Sequence, residues 1–217
     1  MKKYVNLFVF VFMIGACLSQ GRAQTKSAVS YKNPVVDIAM PDPTVIKAAD
    51  GYFYVYATES TRNVPIMKSK DLVEWTYCNT AFTNKTRPRF EPKAGIWAPD
   101  INYINGKYVL YYAMSVWGGE QTCGIGVATA NSPQGPFTDH GKMFRSNEIG
   151  VQNSIDPSLL QYEGRNYLVW GSFRGIYVIE LTADGLSIMS GAKKKRIAGT
   201  AFEAVYIHKP VSYTHLR

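Results

Sequence analysis

Three stretches of the chain repeat one pattern of polar and apolar positions. Each opens on an acid beside proline, continues as a short strand, turns at a glycine and returns as a strand dense in aromatic residues. The first runs Pro41-Asp42-Pro43-Thr44-Val45, turns at Ala49-Asp50-Gly51 and returns through Tyr52-Phe53-Tyr54-Val55-Tyr56-Ala57. The second runs Pro99-Asp100-Ile101-Asn102-Tyr103, Asn105-Gly106 and Lys107-Tyr108-Val109-Leu110-Tyr111-Tyr112. The third runs Ile155-Asp156-Pro157-Ser158-Leu159-Leu160, Glu163-Gly164 and Asn166-Tyr167-Leu168-Val169-Trp170. A third apolar strand follows in each unit, at Pro65-Ile66-Met67, Gly124-Ile125-Gly126-Val127-Ala128 and Ile176-Tyr177-Val178-Ile179. From 42 to 100 and from 100 to 156 the acids recur at intervals of 58 and 56 residues. A period of this length carrying three or four strands predicts the blades of an all-β propeller. No segment keeps a helical period over three turns, which argues against an α/β arrangement. In a propeller the first strand of each blade faces the central channel, so acids that open those strands would converge at one mouth.

A fourth unit begins with Ala201-Phe202-Glu203-Ala204-Val205-Tyr206-Ile207 and places Glu203, 47 residues after Asp156, at the equivalent position. A glutamate inside so apolar a strand is costly to bury without a partner or a purpose. The repeat then stops, and Pro210 to Arg217 match nothing earlier. The expected organisation is a leader at 1–23, a linker at 24–32, a partial propeller at 33–209 and a non-native-looking tail at 210–217. The propeller part would comprise three blades and the first strand of a fourth.

Composition agrees with strands and turns: 15 Tyr, 10 Phe, 4 Trp, 18 Gly and 11 Pro in 217 residues. The net charge of +8 includes Lys2, Lys3 and Arg22 in the leader and Arg217 in the tail, which leaves +4 for the rest. That balance does not call for nucleic acid or an anionic membrane. Lys2 and Lys3, the apolar run Leu7 to Leu18 and Gly21-Arg22-Ala23 read as an export signal cut before Gln24. Ile14-Gly15-Ala16-Cys17 offers the alternative of a lipoprotein signal ending before an acylated Cys17. The body is then secreted or periplasmic in the first case and an outer-membrane lipoprotein in the second. Twelve apolar residues fall short of the about 20 that a transmembrane helix needs, and no later run is longer. Cys78 and Cys123 have no metal-type spacing and are expected as free thiols in preference to a bridge. His140, His208 and His215 are scattered, so no metal-ligating set is read. Lys193-Lys194-Lys195-Arg196 is read as a solvated turn between strands.

Carboxylates gathered at one mouth suit glycosidic cleavage, in which one acid protonates the leaving oxygen and a second activates water or attacks. A third acid nearby would raise the pKa of the donor. Pro41-Asp42-Pro43, Trp97-Ala98-Pro99-Asp100, Ile155-Asp156-Pro157 and Phe202-Glu203-Ala204, in this order and spacing, closely resemble glycoside hydrolase family 43, whose members are five-bladed propellers. The resemblance runs from about residue 33 to 209. It implies an inverting reaction with Asp42 as general base, Glu203 as general acid and Asp156 tuning and orienting the acid. It gives Asp100 a structural task beside the site. No cofactor is implied for the chemistry, although a calcium or sodium ion on the axis, held by later blades, would be in keeping with arabinanase-like members. Gly106-Lys107-Tyr108 to Ser115, Ile125-Gly126-Val127-Ala128-Thr129 and Gly171-Ser172-Phe173-Arg174-Gly175 look most like the branch that cuts α-1,5-linked arabinan. β-Xylosidases and exo-arabinofuranosidases share much of this text.

The expected partner is thus a plant cell-wall glycan containing arabinose or xylose, taken by a monomer. Trp97 and Trp117 belong either to the core or to a sugar-stacking cleft, and Phe173 is read as lining the same cleft. Two other classes stay open: a propeller that binds glycan without cutting it, and an inactive fragment. Five blades of about 55 residues need roughly 275, so three would leave strand edges open.

Overall fold

The computed structural model describes residues 30–207. The first repeat unit folds as β1 (Thr44–Lys47), β2 (Phe53–Tyr56), β3 (Pro65–Ser69) and β4 (Thr76–Thr80). The second gives β5 (Gly95–Ile104), β6 (Lys107–Ser115), β7 (Gly124–Ala130) and β8 (Thr138–Arg145), followed by the four-residue helix α1 (Ser146–Ile149). The third gives β9 (Ser158–Tyr162), β10 (Arg165–Ser172), β11 (Gly175–Leu181) and β12 (Lys195–Ala198). Among the described residues the strands form three four-stranded antiparallel sheets, each a meander in chain order. This is the predicted propeller architecture as an open ring of blades. The first strands β1, β5 and β9 line a shared channel of about 680 Å³.

Local chemistry sets the turns. Asn105-Gly106 and Glu163-Gly164 all have positive φ, and the registers Ile104↔Lys107 and Tyr162↔Arg165 make each pair a two-residue hairpin loop. Such loops need left-handed backbone at both central positions, which Asn and Gly accept readily.

The alternation of side chains along β6 shows how the sheets stack. Tyr108, Leu110, Tyr112 and Met114 pack with Tyr54, Tyr56, Ile66, Phe82 and Ile96 of the first unit and its junction. Val109 and Tyr111 point the other way, into a second core with Ile125, Phe144, Leu168, Trp170 and Ile179. A strand buried on both faces therefore reads as a continuous apolar run. Buried aromatic hydroxyls and the indole N–H all find acceptors: Tyr56 on the Pro133 carbonyl, Tyr111 on that of Gly185 at 2.8 Å, Tyr112 on Asp139 at 2.5 Å, and Trp170 on Ser154 at 3.1 Å. Gly126 faces Tyr112 across the β6/β7 pair, where a Cβ would fall 2.3 Å from the phenolic oxygen, so only glycine fits.

The outer strands β4, β8 and β12 were not predicted. They carry largely polar side chains that are exposed or half-buried, with Phe144 of β8 reaching the second core. Lys195 and Arg196 lie within β12, so the basic run is not simply a turn; Lys at a sheet edge discourages pairing with another chain. Residues 201–207, expected as the opening strand of a fourth sheet, have no β pairing, and Phe202 and Tyr206 are exposed. A strand needs a neighbour to bond, and none is present beside 201–207 among the described residues. Glu203 accordingly lies at the surface and not in an apolar strand. Cys78 and Cys123 are free, and His140 bonds Thr129 at 2.8 Å. The expected leader at 1–23, Cys17 and the tail at 210–217 lie outside the described residues. Among those described, no helix is long and apolar enough to cross a membrane.

Candidate active site

A kink recurs at each first strand, just before β1 and β9 and near the start of β5. Asp42, Ala98 and Asp156 have φ of 47°, 40° and 55°, and a proline follows each. The residue before the kink still bonds the second strand: the Thr58 N–H donates to the Pro41 carbonyl and that of Gly171 to Ile155, both at 2.9 Å, while Trp97 pairs with Ala113. Two residues beyond the kink, pairing resumes at Thr44↔Tyr56, Asp100↔Tyr111 and Ser158↔Val169. The kinked residue is pushed out of the ladder, as in a β-bulge; Asp42 and Asp156 thereby line the cleft at the mouth, while Ala98 lines the channel beneath it. Ala204, with φ of 53°, continues the series.

This backbone register corrects the one expected from the acids. Ala98 stands where Asp42 and Asp156 stand, Asp100 lies two residues on with Thr44 and Ser158, and Glu203 lies one residue before its kink with Pro41, Trp97 and Ile155. Matching by residue type had aligned carboxylates, whereas the sheets align by conformation.

The three outer acids nevertheless meet. Asp42, Asp156 and Glu203 line one cleft of about 630 Å³, together with Thr58, Trp97, Ser115, Trp117, Glu120, Asn153 and Phe173. Asp100 is not in it: it lines the channel beneath, which opens to the cleft past Asp42, Asp156 and Ala204. The Asp100 carboxylate accepts from the Leu159 N–H and from Asn102 Nδ2, each at 2.7 Å, and so ties β5 to β9. Burial pushes its carboxyl up to about 6 against the opposing pull of Leu159, Asn102 and Thr44.

Asp156 Oδ2 accepts from the Ala204 N–H at 3.1 Å, which anchors the segment that carries Glu203. Burial is again the main cause that raises the Asp156 carboxyl, to about 6; the Ala204 bond opposes it, and the nearby charges of Glu203 and Asp42 add to it. The carboxyl raised in this way is that of Asp156, the acid expected to orient the donor. Asp42 Oδ2 accepts from the Thr58 hydroxyl at 2.5 Å.

Aromatic rings flank these acids. Trp117 is 95% exposed, its ring centroid 5.5 Å from that of Trp97. Trp97 packs with its other contacts on Ala113, Cys123 and Ile155, so it serves core and cleft at once. Phe173 sits in the hairpin turn between β10 and β11, where Gly171 has φ of 123° and a Cβ would fall 2.2 Å from the Gly175 carbonyl oxygen. Next to it, Arg174 forms an ion pair with Glu120 at 3.0 Å, joining the third sheet's hairpin to the loop after β6. Thr58, Glu120 and Asn153 were not singled out in the sequence, since no motif marks them. Among the described residues no three His, Cys, Asp or Glu side chains gather as a cation site.

Comparison with known proteins fits this geometry. Over 140 residues the chain is 38% identical to the extracellular endo-α-(1→5)-L-arabinanase 1 of Bacillus subtilis, covering 61% of this chain and 43% of that protein. Over 184 residues it is 32% identical to an Aspergillus niger protein named "Probable arabinan endo-1,5-alpha-L-arabinosidase C", covering 81% and 57%. The solved α-L-arabinanase of Cellvibrio cellulosa superposes with a TM-score of 0.66 at 26% identity, over 78% of this chain and 58% of that one. The chain spans about half the length of the curated relatives it matches. The family model for glycosyl hydrolases family 43 matches residues 31–216, and the chain belongs to that family.

Proposed function

We propose that the protein is an exported, inverting glycosidase that cuts α-1,5-linked arabinan within the chain, and that Asp42, Glu203 and Asp156 carry the reaction. The observation that carries this reading is the meeting of these three acids, from chain positions up to 161 residues apart, in one cleft flanked by Trp97, Trp117 and Phe173. In this scheme Asp42 takes a proton from water, whose oxygen attacks the anomeric carbon while Glu203 gives its proton to the departing glycosidic oxygen. Asp156 holds the Ala204 N–H beside Glu203 and so orients the segment that carries the donor. The aromatic faces suit the apolar faces of furanose rings. The named arabinanases among the relatives support arabinan over xylan as substrate.

The test is hydrolysis by the full-length protein of debranched arabinan beside xylan and aryl pentosides, with the first-formed anomer read by proton NMR. The expected product on arabinan is the β anomer. Glu203→Gln should lose polysaccharide turnover yet keep much of its activity on aryl glycosides, which need less proton assistance; Asp42→Asn should lose both. Binding of arabinan without turnover by the wild type would establish the non-catalytic reading, and preference for aryl xyloside the xylosidase one.

A further inference from the structure

The Thr58 side chain stands between two sheets. Its oxygen accepts from the Ala98 N–H at 2.6 Å, and its hydroxyl lies 2.5 Å from Asp42 Oδ2. A backbone N–H can only donate, and a threonine hydroxyl carries a single proton. A carboxylate can only accept, so with Asp42 acting as base Ala98 donates to Thr58, and Thr58 donates to Asp42. Little freedom remains for the segment itself. The Thr58 N–H holds the Pro41 carbonyl, the residue before Asp42, and the Glu59 N–H holds the Ile96 carbonyl at 3.1 Å. The Glu59 carboxylate accepts from the Ile96 N–H at 2.9 Å and from the Asn63 N–H at 2.7 Å, and is clamped by Arg87.

We infer that Thr58 is a positioning residue for the reaction: it occupies Asp42 Oδ2 and so leaves Oδ1 as the oxygen that takes the proton from water. This rests on the reading of Asp42 as general base. The balance is simple. The water O–H proton passes to Oδ1, the water oxygen bonds to the anomeric carbon, and the glycosidic C–O bond breaks with its oxygen protonated by the acid. Thr58 transfers no proton; it holds the carboxylate plane still, and it makes that orientation depend on the second sheet through Ala98, next to Trp97.

The experiment compares Thr58→Val, Thr58→Ser and Asp42→Asn in the full-length protein on debranched arabinan. Thr58→Val keeps the shape and removes the hydroxyl; kcat is expected to fall about 10- to 100-fold, as for loss of a hydrogen bond to a charged group, with KM within about twofold. Thr58→Ser should restore at least about a third of the wild-type kcat. A merely structural role would not produce this split or this rescue. If Thr58→Val does not fold, Thr58→Ala carries the same comparison with the same expected loss. Full kcat in either variant, or a serine variant as slow as valine, overturns the inference while an inactive Asp42→Asn leaves the base assignment standing. An active Asp42→Asn overturns both.

Discussion

Two arginine–glutamate pairs cross between segments of the site, and they differ in almost every other respect. Arg87 and Glu59 are 7% and 9% exposed, and their remaining bonding capacity is spent on the Asn63 and Ile96 N–H groups, the Asn63 side chain and the Ala94 carbonyl. Arg174 and Glu120 are 49% and 35% exposed at the cleft rim, with Gln152 as a further partner. The same two functional groups thus form a fixed seat in one place and a solvated tie in the other. Burial works to raise the Glu59 carboxyl, but Arg87 and the two N–H bonds outweigh it and hold the group below its ordinary range. The seat lies under Thr58 and Trp97; the tie lies beside Phe173.

The sharpest way to break the contrast is Glu59→Ala, which strands a buried guanidinium. Unfolding in urea at pH 7 should show a loss of about 3–5 kcal/mol; a loss below about 1 kcal/mol would make the two pairs equivalent.

A smaller effect should appear with pH. Asp100 and Asp156 have carboxyls raised to about 6, so in the folded chain they hold protons that the unfolded chain has released. Their contribution is complete below the ordinary aspartate value and is lost as pH rises through about 6. Glu59, held low, behaves in the reverse sense: its contribution is present above the ordinary glutamate value and is lost as pH falls. Asp100→Asn should therefore reduce the fall in urea midpoint between pH 4.5 and 7. An undiminished fall in that variant would show that Asp100 ionises as a surface aspartate does.

The smallest stability effect belongs to the rim. Arg174→Met should change the unfolding free energy by less than about 1 kcal/mol. It should nevertheless raise KM for arabinan roughly two- to fivefold at unchanged kcat, because the hairpin carrying Phe173 loses its tie. An unaltered KM would separate the pair from substrate binding.

Inner strands and turns were legible in the sequence because they are governed by local rules: Asn105-Gly106 asks for a tight hairpin, and Tyr108 to Tyr112 can only be a strand buried on both faces. Outer strands such as β4 (Thr76–Thr80) were hidden, since an exposed edge places few demands on side chains. The cleft acids were legible as Asp42, Asp156 and Glu203, but their register was not. Asp100 has the right letter and the wrong backbone, and Ala98 has the reverse. Thr58 and the Glu59–Arg87 pair were invisible because their significance lies in contacts across 28 to 40 residues of sequence. Trp117 could not be assigned to core or cleft until its exposure was known.

The kink at residues 42, 98, 156 and 204 has an evolutionary consequence. The same left-handed step is occupied by Asp, Ala, Asp and Ala in turn, so the scaffold is indifferent to which of these it carries. The steps at 42, 156 and 204 thus offer sockets at the cleft into which a reactive group can be fitted or from which it can be withdrawn while the sheets behind stay as they are, whereas the step at 98 faces the channel beneath. Diversification of such wheels can then proceed by exchanging the occupants of a few sockets, with the folding problem already solved.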